Sequence, residues 1–235
     1  MQHLSVLFVL IIALCAAGCG RNTPATSSQK TTASEEKRPN PEAQLYQAFA
    51  NAIADEKQRE TVEKMAESPD AVHARGLTGE TPLIAACMLN KPDIARLLIE
   101  KGADVNARSN RNGTALTNCD DPELAKLLIE KGAAVNAQGL ADETALHLAI
   151  RDGMLELARV LLENGADPTI ANDRGETALH YAVDWDQPDI IKALLAEGAD
   201  VTLENRNGQT PLDIARTKDG TVMANMLRPP SRETD

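Results

Sequence analysis

Aromatic side chains are nearly absent from these 235 residues: one Trp, two Tyr and two Phe, 2% of the chain. A large core built on rings is therefore excluded. Apolar residues still make up 43%, so burial must come from many small Ala and Leu contacts, which suits short, closely packed helices. Basic runs are missing too. The net charge is −11, a field that repels a phosphate backbone and argues against nucleic acid, while an acidic surface steers basic proteins. Of four cysteines, Cys15 and Cys19 lie near the N-terminus and only Cys87 and Cys119 in the body. That count excludes a disulfide-rich scaffold, and no Cys/His cluster has zinc spacing. The chain also lacks a Gly-rich phosphate loop, a Gly-x-Ser-x-Gly elbow and a His-Glu-x-x-His motif. An enzyme has no residues to stand on, and no cofactor or metal is expected.

The longest apolar run, LSVLFVLIIALCAA at 4–17, is too short to span a bilayer comfortably but fits the apolar part of a signal peptide. Its n-region, Met1-Gln2-His3, carries no Lys or Arg. Ala16-Ala17-Gly18-Cys19 resembles a bacterial lipobox, with Ala16 where that motif prefers Leu. The resemblance implies cleavage after residue 18 and acylation of Cys19. The alternative is an ordinary signal peptide cut after Ala17 or Gly18. Several acyl chains hold a protein firmly, since each buried methylene contributes ~0.8 kcal/mol. Gly20 after the cysteine, with no aspartate there, implies by the same resemblance the periplasmic face of the outer membrane. Residues 19–42 are rich in Ser, Thr, Pro and charge and read as the lipidated cysteine followed by a flexible tether.

The body repeats. Leu98-Ile-Glu-Lys-Gly-Ala-Asp, Leu128-Ile-Glu-Lys-Gly-Ala-Ala, Leu162-Glu-Asn-Gly-Ala-Asp and Leu195-Ala-Glu-Gly-Ala-Asp share one phrase. A second phrase opens each unit at Thr81, Thr114, Thr144, Thr177 and Thr210, spaced 33, 30, 33 and 33 residues apart. The pattern resembles the ankyrin repeat, with its 33-residue period and Thr-Pro-Leu-His-x-Ala signature. The fold class implied is all-α: a solenoid of stacked helix-turn-helix units joined by β-turn tips. Units are placed at 76–108, 109–138, 139–171 and 172–204, with an N-terminal cap at 43–75, a C-terminal cap at 205–227 and a tail at 228–235.

Local chemistry points the same way. Gly102, Gly132, Gly165 and Gly198 follow apolar helical runs, where a left-handed residue ends a helix. Pro92, Pro122 and Pro188 fall at helix starts, followed by Asp93, Glu123 and Asp189 at the positive end of the dipole. The second unit is three residues short between Thr114 and Gly132, which predicts a truncated first helix. Asn112 and Asp142 take the place of the turn glycines Gly79, Gly175 and Gly208, and both tolerate left-handed backbone.

His147 and His180 recur one repeat apart, too far to share a metal when stacked helices lie ~8–10 Å from each other. The family resemblance implies that each, with its Thr, bonds the turn backbone and ties adjacent repeats. Cys87 and Cys119 are read as two buried thiols, because ordinary repeat spacing exceeds disulfide reach; the short second unit could distort that spacing, which leaves a bridge suited to an oxidising periplasm as the alternative. Asp120 and Asp121 are read as helix caps.

What remains is recognition. The resemblance implies a concave groove, lined by turn tips and first-helix ends, that binds a protein. On this chain the tips include Leu77, Thr78 and Glu80; Asn110 and Arg111; Leu140 and Glu143; Asp173, Arg174 and Glu176. The helix ends include Met88, Leu89, Arg151, Asp152, Asp184 and Trp185. Trp185 is the single tryptophan, either a binding hot spot or a cover for its own helix end. The expected protein is a membrane-anchored periplasmic binder, a monomer on its own. Its partner is a toxin or secreted effector held by an immunity-type inhibitor, or else a periplasmic enzyme, such as an oxidative-stress enzyme, served by a scaffold or chaperone.

Overall fold

The computed structural model describes residues 40–218 and 221–227. The expected signal peptide, Cys19, nearly all of the tether and the 228–235 tail lie outside the described residues. Among those residues are twelve α-helices, three short 3-10 turns and no strand, so the all-α stack expected from the repeat pattern is the fold.

The stack begins with α1 (Pro41–Ala54), α2 (Arg59–Ala66) and α3 (Pro69–Val72). The Asn40 side chain accepts from the Glu42 N–H at 3.1 Å, and Pro41 starts the first turn, so the entry to α1 is capped twice over. Phe49, Ala52 and Ile53 point inward from α1, and Val62 and Ala66 from α2. The Tyr46 ring lies so close over Gly76 that a Cβ there would come within 2.5 Å of it.

Helix pairs follow: α4 (Pro82–Met88) with α5 (Pro92–Glu100), α7 (Ala145–Arg151) with α8 (Leu155–Glu163), and α9 (Ala178–Asp184) with α10 (Pro188–Ala196). The last described pair is α11 (Pro211–Thr217) and α12 (Thr221–Met226). Outside the short unit, each unit threonine starts a first helix for a visible reason. The Thr81 hydroxyl accepts from the Ile84 N–H, and at Thr144 and Thr210 the side chain three residues on reaches back to the threonine N–H. These are orphan donors that water would otherwise have to satisfy. Second helices end where sequence predicts: Gly102 adopts φ +86°, and its N–H and that of Ala103 close onto Ile99 and Leu98.

The short unit is truncated as expected. A 3-10 turn, Leu116–Asn118, stands in for its first helix and leads into α6 (Pro122–Glu130). Asp121 caps α6 by accepting from the Leu124 N–H at 2.7 Å. Of the Asp120-Asp121 pair read as capping a helix, Asp121 takes that role, and Asp120 is exposed. The core is one continuous cluster of small apolar side chains running through every unit, with Leu83, Leu98, Leu128, Leu146, Leu161, Leu179 and Leu194 all but inaccessible. No unit buries its apolar stripe alone, so stacking itself supplies the burial.

Candidate protein-binding face

Turn tips and first-helix ends share one face, and two sets of hydrogen bonds between repeats fix its geometry. The first is backbone to backbone: Asn110 N–H donates to Thr78, Asp173 to Ala141 and Arg206 to Arg174, each at 2.9 Å. The second uses one side chain per unit. Arg75 donates to Gly79 O of its own tip at 3.1 Å and to Arg108 O of the next unit at 2.8 Å. Arg108 reaches Gln138 O at 2.9 Å, and Gln138 reaches Asp142 O at 2.9 Å and Ala171 O at 3.2 Å. The tips are therefore ordered loops, held at distances set by the stack.

Near the centre of this face the polar side chains converge on Tyr181, in α9. Its hydroxyl donates to the Glu143 carboxylate in a short hydrogen bond and accepts from Asn172 Nδ2 and Arg174 Nη2, both at 3.1 Å. Glu143 also pairs with Arg151 at 3.1 Å, Arg151 with Asp152 at 3.2 Å, and Arg174 with Glu176 at 3.0 Å. Burial, then the hydrogen bond to Glu143, raises the Tyr181 pKa, so the phenol keeps its proton and stays a donor. The ring also meets His147 edge to face, with centroids 5.3 Å apart.

The expected site residues fall into groups. Glu143, Arg151, Asp152, Arg174 and Glu176 are joined in the Tyr181 network. Leu77, Thr78, Glu80 and Asn110 form a second cluster: Thr78 Oγ1 bonds Glu80, and Asn110 Nδ2 donates to Leu77 O at 3.3 Å. Asp184 is drawn away into a pair with Lys218 at 2.6 Å. Met88 and Leu89 lie at the end of α4, where Met88 is exposed and Leu89 packs against the core. Arg111 is exposed at its tip, and Asp173 is half-buried beside the Ala141 tip. Leu140 and Trp185 are 63% and 51% exposed, and Trp185 follows Tyr181 by one helical turn, its N–H bonded to Tyr181 O.

Sequence reasoning missed Tyr181, Asn172 and the Arg75-Arg108-Gln138 series. A signal for the tyrosine existed: it fills the slot held by Ala85, Leu148 and Ile214 in the other units that have a full first helix, an exchange no apolar core requires. The relay residues keep the 33- and 30-residue spacing of the threonines.

The two buried histidines serve the stack. Nδ1 of His147 accepts from the Thr144 N–H at 3.3 Å and meets the Thr144 hydroxyl at 2.9 Å, while Nε2–H donates to Glu176 O of the next unit at 3.1 Å. His180 repeats this with Thr177 and with Gln209 O at 3.0 Å. Burial lowers both pKa values, keeping the rings neutral with the proton on Nε2. No group of three metal-ligating side chains comes together among the described residues, and none of their helices is long and apolar enough to cross a membrane.

Stacked helix pairs with hydrogen-bonded tips define a repeat-type interaction module. Comparison with known families agrees: the family described as ankyrin repeats (3 copies) matches residues 49–139, 115–205 and 171–229. The chain belongs to the ankyrin-repeat family, whose members are typically non-enzymatic protein-interaction modules. No curated protein matches the chain.

Proposed function

We propose that this chain is a lipid-anchored protein, held by Cys19 at the periplasmic face of the outer membrane, that captures a protein on its tip and first-helix face. Its partner is read as a basic toxin or secreted effector, neutralised in the manner of an immunity protein. The observation that carries the binding reading is the Tyr181 network. It spends five charged side chains on fixing one another's positions, leaving Trp185 half exposed beside them. Groups already ordered lose little entropy on docking, and Trp and Arg are residue types enriched in hot spots. The net charge of −11 favours a basic partner and fast encounter.

Two experiments test this. Labelled palmitate fed to cells should enter the wild type and not Cys19→Ser; labelling of neither removes the anchor. For the partner, protein isolated from membranes is compared with a Trp185→Ala, Arg151→Glu variant. Loss of a hot spot of ~2 kcal/mol weakens binding about 30-fold, so the variant should lose the partner. Equal recovery by both forms rules out this face.

A further inference from the structure

The end of α9 sets an open aromatic ring among open carboxylates. Trp185 is flanked in sequence by Asp184 and Asp186, and all three are exposed. Neighbouring units hold this turn in place. The Gln187 N–H donates to Ala182 O at 2.9 Å, and the Gln187 side chain donates to Ile150 O of the preceding unit at 2.7 Å. A Cβ at Gly153 would come within 3.6 Å of that same side-chain nitrogen. The 150–153 turn therefore lies against the 184–187 turn, which brings Arg151 and the exposed Asp152 to the same edge of the stack. Lys218 of the following unit closes the other side by pairing with Asp184. Charge at this edge does not balance. Arg151 is shared by Glu143 and Asp152, and Asp184 takes Lys218, while Asp186 pairs with no cation among the described residues. Four carboxylates thus share two cations. The tip edge of the same face differs, since it carries the exposed Arg111, Arg174 and Arg206.

We propose that Trp185, with Asp152, Asp184 and Asp186 beside it, seats an arginine side chain of the docked protein. This seat presupposes the docking face proposed above and gives that face a cation-reading edge. A cation over an indole ring is attracted by the ring's quadrupole, and the carboxylates supply the opposite charge. A neutral apolar group would cover the ring as well, but it would strip water from the carboxylates and offer them no partner. An acidic group would be repelled. A guanidinium suits the seat better than an ammonium: it is flat, stacks on a ring while its N–H edges meet carboxylates, and sheds water more readily. The turn is already fixed, so little freedom is lost when the arginine enters.

Trp185 is the only tryptophan, so its emission reports on this seat alone. The full chain is titrated with hexaarginine, hexalysine and hexaglutamine peptides while that emission is followed. Hexaarginine should change it along a saturable curve, hexalysine should bind more weakly, and hexaglutamine should leave it unchanged. The Asp152→Asn, Asp186→Asn variant should bind hexaarginine roughly five-fold more weakly, the loss expected from two exposed charge contacts. Asparagine tolerates the φ of +53° at position 186, so the turn is kept. A Glu130→Gln, Glu156→Gln variant removes the same charge from exposed second-helix positions and should bind as the wild type does, because salt screens distant charges. The proposal is overturned if hexaarginine leaves the emission unchanged, if hexalysine binds as tightly, or if both double variants weaken binding equally. Recovery of the membrane partner separates the seat from the face. If Asp152→Asn, Asp186→Asn recovers it fully while Trp185→Ala, Arg151→Glu loses it, the seat is wrong and the docking face stands.

Discussion

At the scale of single residues, Tyr181 carries the most. One hydroxyl satisfies Glu143, Asn172 and Arg174 at once, and Tyr181→Phe leaves a half-buried carboxylate and two donors short of a partner. A hydrogen bond to a charged group contributes about 1.5–3 kcal/mol, so the variant should lose stability of that order in urea unfolding, with the helical signal unchanged. The histidines make a pH prediction. Burial sets the folded-state pKa of His147 and His180 below the ordinary 6.5. Below that value the unfolded chain binds more protons than the folded one. Their contribution is therefore complete above about pH 6.5 and is lost as the pH falls toward the folded values. Urea unfolding from pH 7.5 to 5 should show that decline, and a His147→Gln, His180→Gln variant should show a shallower one. Equal slopes would mean that the rings are not held neutral.

At the scale of elements, the tips set how closely units approach. At Gly175 φ is +74°, and a Cβ would come within 2.9 Å of the Arg206 backbone nitrogen, the atom that donates to Arg174 O. Gly175→Ala should therefore cost ~1–3 kcal/mol, from left-handed strain and the broken tip contact together. Ala141 gives the opposite sign. It holds φ +57° without being glycine, so Ala141→Gly should raise stability by roughly 0.5–1 kcal/mol in the same assay. Helix starts at threonine, helix ends at glycine and the shortened first helix were all legible in the sequence, because each depends on residues within one turn of chain. The Tyr181 network was not. Tyr181 and Glu143 lie 38 positions apart, and their meeting depends on rotamers and on the register of two stacked units.

At the scale of the whole molecule, one continuous core of small side chains holds the stacked units together. Stability in such a stack is close to a sum of unit and neighbour terms, so damage at one joint should propagate little beyond it. The acidic charge adds a rate effect. Association with a basic partner should slow steeply between 50 and 500 mM salt, while dissociation changes less. The central claim, that the tip and first-helix face is where a protein docks, is tested most directly by photo-crosslinking in cells. A benzophenone amino acid is placed at Leu140 or Trp185 on that face, and at Lys126 or Glu156 on second helices, all solvent-exposed positions. The account predicts one discrete adduct, the same protein from Leu140 and from Trp185, and none from Lys126 or Glu156. Adducts from the second-helix positions alone, or from none of the four, would contradict it.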